Sequence, residues 1–549
     1  MRIHNNTDIK ASHHSIDSCK TFPTMGSAAM QSPSSNAAAT QRQPMLDLFV
    51  LGFVVLLRIC VGYQNHSGQD NHHGSKIAYG GDFEAQRHWM ELTLHVPIGD
   101  WYWYDLDYWG LDYPPLTAYV SYLCGVTSSI LVGPESVALN TSRGIEDPTH
   151  KAYMRATVLF LDLLVFGSAV YVSTIRRDRE GSLWTIVLAL SQPAILLIDH
   201  GHFQYNTVAL GLAIWSFHYM TQSRFSSCIY GSVLYCLALN FKQMSLYYAP
   251  AVFCYLLGRC LSVPRYFFAR FIALAVTVLL TFFVLWEPFI KYGPSHQGTT
   301  KMERGLQILH RIFPFQRGLY ESKVANLWCA LSVKPFSLKD RLSQELQLPT
   351  SLGATLVLIL PACCILLRIG MDQSGRFKDR DWIQLLWGAT STALGFFLAS
   401  FQVHEKSILF ALAPACLLLW QDPVFMEWFS YVAAWTLWPL MQVDRMEIGY
   451  LAVNLIFLCL LRFRRLFTKQ ATAPTIFSSY LGAIPLFSYV VMIALHVAQV
   501  FVAAPPNLPD LYPVLWSVVG CGMICIAWCC TCWKQIELRQ RRKTKTKIQ

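Results

Sequence analysis

From residue 46 to residue 533 the chain alternates long apolar runs with basic or polar segments, fifteen runs in all, the first at 46–62 and the last at 511–533. At 1.5 Å per residue, a helix of about 20 apolar residues crosses the roughly 30 Å hydrocarbon core of a bilayer. Inside that core no water is present to satisfy backbone N–H and C=O groups, which leaves the helix as the form for runs of this length. The expected fold class is an all-α polytopic membrane protein. With 54% hydrophobic and only 14% charged residues, the chain could not cover an ordinary water-soluble surface.

The basic residues orient the runs. Arg176, Arg177 and Arg179, then Arg259, Arg265 and Arg270, then Arg376 to Arg380, Arg462 to Lys469 and Arg539 to Lys547 mark the cytosolic side by the positive-inside rule. Both termini then fall in the cytosol, which requires an even number of crossings, about 14. The run expected not to cross is 116–132, which follows Pro114-Pro115 and carries Thr117, Ser121, Thr127, Ser128 and Ser129; it is expected to be re-entrant or to lie along the lumenal interface. Residues 1–44 are expected to form a disordered cytosolic tail, 45–533 the polytopic membrane domain with lumenal loops at about 63–115 and 290–349, and 534–549 a basic cytosolic tail. The net charge of +11 resides in these flanks and not in a compact basic domain, so no nucleic-acid partner is expected. Most of the 17 cysteines lie within apolar runs, where a thiol packs as a small hydrophobe, and no structural disulfide is expected. The tripeptides Asn65-His66-Ser67 and Asn140-Thr141-Ser142 fall in segments assigned to the lumen and agree weakly with this topology.

Five unusual polar segments fall on the lumenal side, and their convergence points to a site. The first, Gly80 to Tyr119, holds five aspartates among dense Trp and Tyr. Gly80-Gly81 signals a turn and Asp82 opens a run with helical spacing, in which Glu84 and His88 share one face and Phe83, Arg87 and Met90 another. Asp82 has two compatible readings: an N-cap worth about 1 kcal/mol, or a carboxylate base at the mouth of a cavity, able to take a proton from a sugar hydroxyl. The aromatic half fits either sugar stacking or an interfacial belt.

The second segment, Asp199 to Asn206, presents His200 and His202; with no third ligand nearby, hydrogen bonding to hydroxyls or phosphate is favoured over a metal site. The third places Lys242 between two apolar runs, either snorkelling or functional. The fourth, His310 to Trp328, mixes aromatics with Arg311 and Arg317 and suits a sugar phosphate or an interfacial helix. The fifth, Gln402 to Lys406, offers His404 and Lys406 for charge stabilisation, or forms a tight polar turn.

The stretches GDFEAQRHWME (81–91), WGLDYPPLTAY (109–119), DHGHFQYN (199–206), HRIFPFQRGLYESKVANLWC (310–329) and FQVHEK (401–406) resemble those of the endoplasmic-reticulum glucosyltransferases that use dolichyl phosphate glucose, over about residues 46–530. The resemblance implies a C-type glycosyltransferase (GT-C) fold, a lumenal active site in the endoplasmic-reticulum membrane, and Asp82 as the catalytic residue. It also implies transfer of the first glucose from dolichyl phosphate glucose to dolichyl pyrophosphate Man9GlcNAc2, in alpha-1,3 linkage with inversion. Lys242, Arg311, Arg317, His404, Lys406, His200 and His202 are then the candidates for holding donor phosphate or sugar; Glu84, Arg87, His88, Trp109, Asp112 and Tyr113 are those for acceptor contacts and an aromatic wall.

A donor without a nucleotide needs no Asp-x-Asp metal motif, so no metal or cofactor is expected and Asp105-x-Asp107 is not assigned one. The end of the chain, Lys543 to Gln549, resembles a Lys-x-Lys-x-x retrieval signal and also reads as an ordinary cytosolic basic flank. The other readings left open are the sister enzyme that adds the second glucose, and a polytopic transporter of lipid-linked sugars.

Overall fold

The computed structural model describes residues 44–71, 79–175, 182–294, 298–313, 319–320, 324–372, 378–467, 476–477 and 482–548. The expected tail up to residue 43, the basic cluster 176–179 and Arg317 lie outside the described residues. All regular elements among the described residues are helical. The chain divides into two units, Met1–Phe49 and Val50–Gln549. Of the first, only the opening residues of helix α1 (Pro44–Gly62) are described; the second holds everything that follows.

Seven helices among the described residues are long and apolar enough to cross a membrane, including Pro148–Ile175, Leu183–Phe203, Pro264–Lys291 and Asp379–Ala399. The expected number of about 14 therefore does not follow from helix length and hydropathy. Several apolar runs form shorter or interrupted helices: 226–241 becomes the 17-residue Phe225–Phe241, 406–420 contains the nine-residue Ile408–Cys416, and 425–441 splits into Pro423–Trp435 and Trp438–Val443. Pro439 contributes to that split, since proline has no N–H to continue the ladder.

Hydropathy follows surroundings. The apolar stretch of Pro264–Lys291 has mean hydropathy 2.4 and is 6% buried, turning Leu280, Phe283 and Val284 outward, as a lipid-facing helix requires. Asp379–Ala399 has mean hydropathy 1.2 and is 94% buried. It accommodates Thr390 and Thr392 because each hydroxyl donates to a carbonyl of its own helix, Leu386 O at 2.9 Å and Ala389 O at 3.1 Å.

The run at 116–132 is one continuous helix, α3 (Pro115–Leu131), with Pro115 in its first turn, where a missing N–H costs nothing. At 17 residues it is not among the seven. It packs against α2 (Asp82–His95), and Gly125 permits the approach: a Cβ there would stand 2.6 Å from the Met90 carbonyl oxygen. Deeper in the unit, Arg58 of α1 is buried; its Nε lies 2.6 Å from Asp162 Oδ2, an oxygen that also meets His200 Nε2 at 2.7 Å.

Candidate functional site

Helix α2 divides its polar residues by helical phase. Asp82, Ala85, Gln86 and Trp89, at spacings of three and four, share one face and line a cavity of about 370 Å³, within the size range of ligand sites. Glu84, Arg87, His88 and Glu91 occupy the other side. There the Arg87 guanidinium lies 2.6 Å from Glu84 and 2.7 Å from Glu91, Tyr108 Oη donates to Glu84 at 2.6 Å, and His88 Nδ1 meets Glu91 at 3.2 Å. Burial alone would raise the Glu91 carboxyl, but the His88 hydrogen bond and then the Arg87 charge bring it down to about 2. The expectation that Glu84, Arg87 and His88 contact an acceptor is therefore corrected. They form a buried ion cluster that braces α2 against the 105–142 region, because a helix carrying Asp82 on one face turns residues two and five positions later to another.

The backbone at Gly81 sets where Asp82 stands. Gly81 adopts φ 95°, ψ 161°, and a Cβ on it would lie 2.4 Å from the Ser67 carbonyl group. Ser67 connects this turn to the second segment: its hydroxyl accepts from Asp82 N at 3.1 Å and its N–H donates to His202 O at 3.0 Å. Asp82 is the first residue of α2, following the N-cap Gly81, and its carboxylate bonds to His202, Gln204 and Lys406 from other elements. The N-cap reading of Asp82 is thus corrected: the carboxylate is directed across to other elements. Gly81→Ala is expected to cost about 1–3 kcal/mol in stability, since no L side chain tolerates this conformation, and to lower transfer by displacing Asp82; unchanged unfolding and turnover would show that the turn is not needed.

His200 and His202 fall within the π-helical turn Leu196–Phe203, and residues two apart on a helix do not face each other. His200 accordingly reaches inward to Asp162 and does not line the cavity. His202 Nε2 lies 2.7 Å from Asp82 Oδ2, and its Nδ1 lies 2.5 Å from Asp444 Oδ2. The turn ends at Phe203, held at φ 86°.

Three donors converge on Asp82 Oδ2: His202 Nε2, Gln204 Nε2, and Lys406 Nζ at 2.5 Å. Among the described residues none donates to Oδ1, and the Asp82 side chain retains 25% exposure at the cavity. Burial alone would raise this carboxyl; the Lys406 charge, followed by His202, holds it well below the usual carboxylate range.

Lys242 stands where the helix Phe225–Phe241 ends, and the Thr117 hydroxyl of α3 bonds the last carbonyl, Phe241 O. Its ammonium donates to Gln204 Oε1 at 2.9 Å and to Asn206 Oδ1 at 2.5 Å, and sits 4.9 Å from the centre of the Tyr113 ring. Because Gln204 Oε1 accepts from Lys242 and from Tyr113 Oη at 3.3 Å, its amide is oriented with Nε2 toward Asp82.

Trp109 and Tyr113 line the same cavity, with Asp112 between them in the loop. The indole N–H of Trp109 donates to Tyr79 O and that of Trp89 to Trp109 O, both at 2.9 Å, which fixes ring orientations without using cavity groups. Trp101 and Tyr102 pack instead around Phe289. Arg311 donates to Leu111 O at 3.2 Å and Gly110 O at 2.8 Å, which ties the helix Lys301–Ile312 to that loop while its side chain lines the cavity. His404 and Lys406 complete the lining from the polar junction after Ala399.

Sequence reasoning brought Asp82, Lys242, Arg311, His404, Lys406, Trp109, Asp112 and Tyr113 to one cavity. It missed the roles of Gln204 and Asp444. Gln204 lay inside a segment already singled out; Asp444, with Arg445 and Glu447, sits in the short junction between the runs 425–441 and 448–462, which the five segments do not include. Among the described residues no group of three or more His, Cys, Asp or Glu is arranged to hold a metal ion, and Asp105 pairs with Arg143.

The sequence model of the ALG6, ALG8 glycosyltransferase family matches residues 54–530. The dolichyl pyrophosphate Man9GlcNAc2 alpha-1,3-glucosyltransferase of Mus musculus is 37% identical over 504 residues, covering 87% of this chain and 93% of the relative. The protein of the same name from Saccharomyces cerevisiae is 38% identical over 507 residues, covering 86% and 88%. A probable dolichyl pyrophosphate Man9GlcNAc2 alpha-1,3-glucosyltransferase of Schizosaccharomyces pombe is 40% identical over 449 residues, covering 79% and 82%.

Proposed function

The chain belongs to the ALG6, ALG8 glycosyltransferase family, and from that premise we propose that it transfers the first glucose from dolichyl phosphate glucose to dolichyl pyrophosphate Man9GlcNAc2. The linkage formed is alpha-1,3, with inversion, at the lumenal face of the endoplasmic-reticulum membrane, within a GT-C fold whose termini are cytosolic. The observation that carries this reading is the Asp82 carboxylate: one oxygen is held by three donors and the other is open to a cavity lined by cations and aromatic rings.

The reaction is a single displacement. The acceptor hydroxyl oxygen bonds to C1 of glucose from the face opposite the phosphate, the C1–phosphate bond breaks, and its electron pair leaves on dolichyl phosphate. The hydroxyl proton goes to Asp82 Oδ1. A phosphate leaving group needs no general acid, unlike the alcohol leaving group of a glycosidase; it needs positive charge, which Lys406, Lys242 and Arg311 supply from the cavity wall, with His404 beside them as a hydrogen-bonding group. Trp109 and Tyr113 offer ring faces to the sugars. Because dolichyl chains remain in the bilayer, the cavity must be reached laterally from lipid and from the lumen together.

The ion pair has a consequence for pH. A carboxyl titrating below its unfolded value contributes stability present above that value and lost only as pH falls through the folded one. Asp82 therefore stays ionised throughout the neutral and mildly acidic range. Lys406→Met is expected to raise the Asp82 carboxyl and bring an acid limb into the turnover profile that the unaltered protein does not show; identical normalised profiles would rule out Lys406 as the controlling charge.

The function is tested with purified protein, radiolabelled dolichyl phosphate glucose and two acceptors, Man9GlcNAc2 and its monoglucosylated form, each on dolichyl pyrophosphate. Glucose is expected on the first. Transfer only to the second assigns the sister activity, and movement of lipid-linked sugar across the bilayer without bond cleavage assigns transport.

A further inference from the structure

We propose that Asp444 is a positioning residue of the transfer reaction, holding His202 so that the imidazole fixes Asp82 with Oδ1 turned to the cavity. The inference rests on the reading of Asp82 as the base.

The geometry is a chain of three groups from separate parts of the sequence. Asp444 Oδ2 lies 2.5 Å from His202 Nδ1, and His202 Nε2 lies 2.7 Å from Asp82 Oδ2. An imidazolium at His202, donating from both ring nitrogens, is the form that satisfies two facing carboxylates. Lys406 Nζ, 3.2 Å from His202 Nε2, donates to the same Asp82 oxygen. The four groups then carry two negative and two positive charges. That balance allows the imidazolium and Asp444, with side chains 3% and 2% exposed, to stay buried.

The backbone is built to deliver Asp444 to this point. The helix Trp438–Val443 ends at Asp444, Arg445 adopts φ 56°, and Met446 N turns back to Met441 O at 2.8 Å. Met446 then packs on Gly201, where a Cβ would stand 2.1 Å from the methionine Cε. The tight turn at 444–446 and the absence of a side chain at 201 bring the two segments together, with His202 as the next residue. Asp444 is not among the residues lining the cavity, so it acts through His202.

Its effect should fall on the chemical step. With Asp444→Asn, the group facing His202 Nδ1 loses its charge, the imidazolium loses one of its two facing carboxylates, and the ring is held less firmly against Asp82. In full-length purified protein, kcat is expected to fall about 10- to 100-fold, by analogy with loss of the carboxylate partner of a metal-bound histidine. The KM values for donor and acceptor should stay within about twofold, as for an interaction used only in the transition state. Asp444→Glu, which retains the carboxylate, should recover part of the loss.

Several results would overturn the proposal: wild-type kcat in Asp444→Asn; a loss carried equally by KM; no recovery in Asp444→Glu; or failure of both variants to fold, which would make Asp444 structural. Asp82→Asn, assayed alongside, separates the two layers. Retained turnover there defeats the base reading itself, whereas an inactive Asp82→Asn beside a fully active Asp444→Asn defeats only the role of Asp444.

Discussion

Asp82→Asn is expected to lower glucosyl transfer about 10²- to 10⁴-fold, the range of a lost general base, while the protein folds and binds donor. The substitution preserves shape. An amide oxygen at the Oδ2 position can still accept from His202, Gln204 and Lys406, which places a non-basic NH2 group where Oδ1 faces the cavity. The loss should therefore appear in kcat, measured as single-turnover conversion of donor to lipid-linked product, with donor affinity measured separately. Turnover within tenfold of the parent protein would reduce Asp82 to a structural anchor for Lys406 and His202.

The second large effect concerns folding. Arg58 and Asp162 are paired at 2.6 Å with both side chains fully buried, and Asp162 also receives His200. Removing one partner leaves an uncompensated charge, so Asp162→Ala is expected to destabilise the protein by about 3–5 kcal/mol. Replacing the pair by apolar groups, Arg58→Met with Asp162→Leu, should recover most of that loss, because it removes both desolvation costs. Unfolding of the detergent-solubilised variants by heat or denaturant reads the difference. A loss below about 1 kcal/mol for Asp162→Ala, or no recovery in the double variant, would contradict the pair's importance. Neither residue lines the cavity, so turnover per folded molecule should stay near that of the parent.

Much of the cavity was legible because its residues interrupt apolar runs. A charged or strongly polar side chain at such an interruption is costly unless it is paired or used, so Lys242, Asp199 to Asn206 and Gln402 to Lys406 stand out against their neighbours. The same contrast singled out Asp82. Helical phase was less accessible: Glu84, Arg87 and His88 are as polar as Asp82 and within six residues of it, yet belong to a brace against Ser142 and Tyr108. Composition cannot distinguish a buried ion cluster from a cavity lining. Crossing number was obscured for a related reason, since helices buried inside the unit need neither the length nor the hydropathy of lipid-facing ones, as Ile408–Cys416 and Asp379–Ala399 illustrate.

The sequence by itself determined that this chain is helical and suited to a membrane, and which short segments carry polar chemistry, because hydropathy and local composition are read within windows of a few turns. Only the tertiary structure decided which oxygen of Asp82 is open, that Lys406 approaches it from 324 positions away, and that Asp444 stands behind His202 across 242. Those outcomes depend on the rotation of each helix about its axis and on which distant segments close upon one another, and no local pattern encodes either.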